Sequence, residues 1–237
     1  LSAFMITFSI FFVPLTNLQS ELIFDGNGGR YSISSDRSYL MIESSIPSLD
    51  FSEIYPDLDT IVINVSNYSP YYYNLAKDDY GLSNNVNVTN LKIAGAPSQN
   101  LLPWAHMPNV KTFAVSSPSN NLYYLEFALP FIESLEIILY REQAEFVKTL
   151  ENISKLINLE DFKLQMDGAW RTQGFTNYEL CALSKMHKLK KLTIIFTNLN
   201  YGDQGFSEAK LEELKHILPN TDVQVESYFR QSQDGGS

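Results

Sequence analysis

The sequence predicts an α/β fold, a solenoid with a curved parallel sheet, and three observations carry that prediction. One spacing of apolar residues recurs along most of the chain, its copies follow one another at roughly 20 to 30 residues, and helical periodicity fills the gaps between the later copies. A recurring spacing outranks any single strand or helix signal, because it dictates how units stack before it dictates what each unit is.

The spacing is apolar-x-x-apolar-x-apolar. It reads Leu58, Ile61, Ile63; Val88, Leu91, Ile93; Val110, Phe113, Val115; and Ile132, Leu135, Ile137. It continues as Leu159, Phe162, Leu164; Leu189, Leu192, Ile194; and Asn220, Val223, Val225, in which the first position alone is polar. Measured at the third apolar residue, the interval is shortest from Ile93 through Val115 to Ile137 and lengthens again toward Val225. A weaker unit, Arg37, Leu40, Ile42, precedes the first at an interval close to the shortest of these. In such a unit the last two apolar side chains point inward from a short strand, and the first packs against the preceding turn. No unit can bury that face alone. Stacking supplies the core, with each strand parallel to its neighbour and the intervening residues on the outer face of the sheet.

Between the later strands the connections read as helices. Residues 143–157 set Phe146, Leu150, Ile153 and then Leu156 or Ile157 at helical intervals. Residues 176–186 do the same with Leu180, Leu183 and Met186, behind a Thr176 to Glu179 capping-box pattern. In residues 207–218, Ser207 is the expected N-cap, Leu211, Leu214, Ile217 and Leu218 form the stripe, and Pro219 stops the helix. Earlier connections hold Pro97, Pro103, Pro108, Pro118 and Pro130 and are expected to be irregular, with brief helical turns at most.

Ahead of the repeats, residues 22–33 read as two strands around the Gly-rich turn Gly26-Asn27-Gly28-Gly29, a β-hairpin-like cap for the solenoid end. Residues 1–15 are apolar apart from Ser2, Thr7 and Ser9, and two readings stand side by side. The run has the length of a signal-peptide core but no basic flank, while Phe4, Ile6, Phe8 and Ile10 alternate as a strand would. At about fifteen residues it is too short to span a bilayer, so membrane attachment is expected only if it acts as an uncleaved apolar anchor. The expected organisation is therefore 1–36 as N-terminal segment and cap, 37–230 as solenoid and 231–237 as disordered tail.

These units resemble the leucine-rich-repeat superfamily, over residues 39–226. The chain departs from that pattern at the consensus turn, where Asn or Cys is replaced by Ser66, Ala96, Pro118, Tyr140, Asp167, Thr197 and Tyr228. The resemblance implies degenerate repeats, like those of divergent microbial or F-box-associated proteins, and a scaffold that binds a ligand. Fold by itself does not establish function.

Composition narrows the partner. With 17 basic against 27 acidic residues, net charge −10, phosphate-backbone binding is unfavourable, and no nucleic-acid partner is expected. The acid is uneven, net −8 over residues 1–140 and −2 over 141–237, so a basic partner would favour the first half. A single cysteine, Cys181, allows no internal disulfide and leaves secreted and cytoplasmic settings both open. Its place in the helical segment around Leu180 reads as a small buried residue.

No cofactor or metal is expected. His106, His187 and His216 are isolated, without a second ligand at metal-binding spacing, and nucleotide and nucleophile motifs do not occur. Adjacent carboxylates stand at Asp78-Asp79, Glu160-Asp161 and Glu212-Glu213, but a carboxylate-dependent hydrolase needs two acids facing one cleft, and no spacing implies such a pair. Sequons at Asn64, Asn67, Asn87 and Asn152 are about as many as this composition produces by chance.

The expected function is non-catalytic recognition of a protein partner, with a structural subunit of a larger assembly as the alternative. The outward row of the sheet comprises Thr60, Val62, Asn90, Lys92, Thr112, Ala114, Glu136, Ile138, Asp161, Lys163, Lys191 and Thr193. Two insertions add the residue types that dominate interface hot spots, Tyr71, Tyr72 and Tyr73 in one and Trp170 and Arg171 in the other.

Overall fold

The computed structural model describes residues 20–24, 30–42, 55–64, 86–94, 107–116, 122, 125–140, 145–168, 172–200, 203 and 205–229. Residues 1–15, the inserts with Tyr71 to Tyr73 and Trp170-Arg171, the pair Asp78-Asp79, His106 and the segment 231–237 lie outside them.

Among the described residues, ten strands form one sheet in chain order. They are β1 (Ser20–Phe24), β2 (Arg30–Ser34), β3 (Tyr39–Ile42), β4 (Thr60–Asn64), β5 (Asn90–Ala94), β6 (Thr112–Ser116), β7 (Ser134–Leu139), β8 (Asp161–Asp167), β9 (Lys191–Leu199) and β10 (Asp222–Phe229). The helices are α1 (Leu125–Ala128), α2 (Phe146–Ile153), α3 (Asn177–Ser184) and α4 (Glu208–Ile217). β1 pairs with β2, and β2 with β3, in antiparallel fashion; every later junction is parallel.

The stacking follows the repeat spacing residue for residue. Ile42, Ile63, Ile93, Val115, Ile137, Leu164, Ile194 and Val225 stand opposite one another across successive strands, as one column. Leu40, Ile61, Leu91, Phe113, Leu135, Phe162, Leu192 and Val223 form a second. Both columns are buried except at Val225, and the leading residues Leu58, Val88, Val110, Ile132, Leu159 and Leu189 are buried in the turns before the strands. Asn220, the polar leading residue, is exposed.

Backbone bonding explains why the turns stack as tightly as the strands. The carbonyls of Ser38, Asp59, Thr89, Lys111, Glu133 and Glu160 each accept two consecutive N–H groups of the next unit, at 2.8–3.0 Å. For example, Thr89 and Asn90 both donate to Asp59, then Lys111 and Thr112 both donate to Thr89. One shared acceptor per unit leaves no backbone donor stranded where the chain enters the sheet. Asparagines reinforce the same edge, with Asn87 Nδ2 donating to the Pro56 carbonyl and Asn109 Nδ2 to that of Val86. These sit just before the leading apolar residue, not at the consensus turn position that this chain lacks.

The helices are shorter than their sequence patterns suggest and lie on the core side. α2 buries Phe146, Leu150 and Ile153. Leu156 beyond it is buried while Ile157 is 71% exposed, which settles the end of that stripe. α3 carries the capping box, Thr176 N–H donating to Glu179 Oε2 at 2.7 Å and Glu179 N–H to Thr176 Oγ1 at 3.4 Å. Ser207 accepts from Lys210 N–H at 3.4 Å and caps α4. The expectation for Cys181 is corrected, since it is exposed. Its neighbours Leu180, Ala182 and Leu183 take the inward face of α3, and a helix of this length offers the core one side only.

Four phenylalanines outside the repeat spacing tie the later units together. Phe175 stacks on Phe146 at 6.4 Å between ring centroids, Phe206 meets Phe175 at 6.2 Å, and Phe206 stacks on Phe196 at 5.7 Å. At the other end Tyr31 and Ile33 of β2 close the core. The turn from β2 to β3 is held by Asp36, whose Oδ1 accepts from Ser34 Oγ at 2.6 Å, Ser38 Oγ at 2.9 Å and Ser38 N–H at 3.1 Å.

Candidate functional site

Because the helices cover one face of the sheet, the alternate residues of the parallel strands line the opposite, open face. The register sorts them into rows. The first row runs Tyr39, Thr60, Asn90, Thr112, Ser134, Asp161, Lys191, Asp222, and the second Met41, Val62, Lys92, Ala114, Glu136, Lys163, Thr193, Gln224. A third runs Ser116, Ile138, Gln165, Ile195, Glu226, and Asn64 pairs with Ala94 at the corresponding position of β4 and β5.

All twelve residues expected on the outward row therefore lie on this face, though in three rows, not one. Thr60, Asn90, Thr112, Asp161 and Lys191 occupy the first; Val62, Lys92, Ala114, Glu136, Lys163 and Thr193 the second; Ile138 the third. They differ in accessibility. Lys191 is exposed, most others are half-buried, and Ala114, Ile138 and Thr193 are buried flush with the sheet.

Charge is arranged in opposed pairs. Lys163 Nζ lies 2.7 Å from Glu136 Oε1, with the two side chains 30% and 23% exposed. They are direct cross-strand neighbours, an arrangement worth about 0.2–1 kcal/mol. In the first row Lys191 stands between Asp161 and Asp222.

At the C-terminal ends of the strands sits a group that the repeat pattern did not flag. Asp167 Oδ1 accepts from Asn198 Nδ2 at 2.5 Å and from Thr197 Oγ1 at 3.3 Å. Asn198 adopts a left-handed φ of 56°, which swings its amide toward Asp167. Burial raises the Tyr140 phenol above its ordinary pKa, the negative charge of Asp167 adds to that, and a hydrogen bond with Ser116 partly offsets both. Nearby in the third row, Gln165 Oε1 is buried and meets no hydrogen-bond donor among the described residues. The signal for these residues was available: continuing the period-two alternation past the third apolar residue of each unit reaches Gln165, Asp167, Ile195 and Thr197.

Elsewhere, His187 and His216 are exposed, and among the described residues no three His, Cys, Asp or Glu side chains gather as a metal site would require. No helix among the described residues is long and apolar enough to cross a membrane.

No protein-family model matches the chain, and no curated protein matches it. A solved structure of an internalin (inlF) from Listeria monocytogenes str. 4b F2365 is similar to it at 12% identity and a TM-score of 0.31. The match covers 78% of this chain and 66% of that one, so this chain spans just under two thirds of the internalin structure. The fold is leucine-rich-repeat-like. The aligned apolar columns and the parallel register carry that likeness.

Proposed function

We propose that the protein is a non-catalytic recognition module that binds a protein partner on the open face of its sheet. One observation carries this reading. Helices and core claim one face of the parallel sheet, while the other presents three aligned rows of mixed polar, charged and apolar side chains with a fixed spacing. Such a face offers a rigid, pre-organised surface, which lowers the ordering cost of binding. Met41 and Val62 give it half-buried apolar side chains, and Lys92, Lys163 and Lys191 with the facing acids give it charge for orientation. Tyr71, Tyr72, Tyr73, Trp170 and Arg171 are proposed as additional anchors on residue type alone.

The test is affinity capture from the source material on the immobilised chain, run beside a Thr60→Arg, Thr112→Arg variant that fills the face at two half-buried positions outside the core columns. The reading holds if a partner protein is retained by the parent chain and lost by a variant of unchanged circular dichroism. Equal retention by both would remove the open face from consideration.

A second reading, a subunit of a larger assembly, draws on a different surface. Val86, Phe127, Phe131 and Ile157 are exposed large apolar residues in or beside the turns that enter the strands. Aggregation of the isolated chain, relieved by Phe131→Ser with Ile157→Ser, would favour it.

A further inference from the structure

We infer, on the open-face reading proposed above, that the corner of the face formed by Tyr140, Gln165 and Asp167 seats an arginine side chain of the protein partner.

The register brings the three residues together. Gln165 and Asp167 are two positions apart on β8, so they project from the same face, roughly 7 Å apart along the strand. Tyr140 comes directly after Leu139, which pairs with Met166, and the next residue of β8, Asp167, pairs with Thr197. Tyr140 therefore stands beside Asp167, close enough that the carboxylate adds to burial in raising its phenol. Ile138 and Ile195 flank Gln165 in the third row, both buried, and give the corner an apolar floor.

The open bonding capacity here is all for donors. On the rest of the late face acids meet cations, Glu136 with Lys163 at 2.7 Å and Asp161 and Asp222 on either side of Lys191. Asp167 is different. Its two hydrogen bonds come from the neutral side chains of Thr197 and Asn198, both to Oδ1, and no ion pair joins it among the described residues. Gln165 Oε1 meets no donor among those residues either, and a buried acceptor left so is unfavourable.

This set of groups selects a guanidinium. It carries five N–H donors in a planar fork and no acceptor, its charge answers Asp167, and its plane stacks on a tyrosine ring such as that of Tyr140, which is 42% exposed. An ammonium is a point charge with neither plane nor fork, and a sugar hydroxyl brings no charge. The net charge of −10 draws a basic partner in the same sense.

The probe is arginine blocked at both ends, N-acetyl-arginine N-methylamide, titrated into the isotope-labelled full chain and followed by NMR. Citrulline blocked in the same way is the control, with the shape and without the charge. Blocked arginine should shift the side-chain amide signals of Gln165 and Asn198 along a saturating curve, and blocked citrulline should leave them in place. Asp167→Asn retains Oδ1 as the acceptor for Thr197 and Asn198, so the fold survives, and it should weaken arginine binding about tenfold. Gln165→Leu should weaken it too without lowering the Tm, because an unsatisfied acceptor is what it removes. Unmoved Gln165 and Asn198 signals, equal binding of citrulline, or undiminished affinity in Asp167→Asn overturns the proposal. Partner capture separates the two readings. A partner lost by the Thr60→Arg, Thr112→Arg variant but retained by Asp167→Asn ends this inference and leaves the open-face reading standing. Arginine binding at this corner in a chain that captures no protein removes the open-face reading and leaves the guanidinium seat.

Discussion

The early and late repeats share one core column but differ in almost everything built around it. Among the described residues β4, β5 and β6 run five residues each and β8, β9 and β10 seven, nine and eight. The early open face carries Lys92 among the neutral Thr60, Val62, Asn90, Thr112 and Ala114, whereas the late one is charged through Glu136, Asp161, Lys163, Lys191 and Asp222. The cause lies in the connections. The longer intervals between Ile137 and Val225 accommodate a helix with its own apolar stripe, and that stripe covers a longer strip of the sheet's back. There the strands continue, and Leu139, Met166, Phe196 and Leu199 form an additional buried layer.

If that contrast is right, the largest effects of mutation belong to the late units. Phe162→Ala removes a fully buried ring from the layer between β7 and β9 and should cost about 3–5 kcal/mol in urea unfolding. Should the loss prove below about 1 kcal/mol, the late half is not the packed region described. A middle-sized effect tests the helices that lengthen these units. Thr176→Ala removes the acceptor of the capping box and should cost about 1 kcal/mol, with the amide of Glu179 exchanging faster. No change in exchange would mean that the helix is held by its packing alone.

The smallest effect belongs to the early end. Hydrogen bonds from the Ser34 hydroxyl, then the Ser38 amide and the Ser38 hydroxyl, hold the Asp36 carboxyl below its ordinary pKa of 3.8. A carboxylate lowered in the folded state contributes stability that is present above the unfolded value and is lost as pH falls through the folded one. The turn between β2 and β3 should therefore persist to pH below 3.8 and loosen beneath it. An NMR titration of the Ser38 amide should show that low midpoint, and Ser34→Ala should raise it.

Legibility in the sequence followed direction. Inward-facing residues such as Ile61, Ile63, Leu164 and Ile194 announce themselves, because a solenoid demands an apolar side chain at the same place in every unit. The cap of α3 was equally plain, since a capping box is a local exchange between Thr176 and Glu179. Outward positions obey no such demand. The twelve expected face residues were found by counting between apolar positions, which reached the right face but missed its width, so Gln165, Asp167, Ile195 and Asn198 escaped notice. Cys181 went astray for a related reason. Helical phase places it near the boundary of the apolar stripe, and the packing of Leu180 and Leu183 turned it outward.

By itself, then, the sequence determined the unit, its repetition and the parallel stacking, because burying a strand's inner face against the next unit is forced by local spacing. Only the tertiary structure decided which side chains share the open face and which of them are covered there. Those outcomes depend on how much cover a neighbouring connection supplies, a property of two units together that neither unit's residues encode alone.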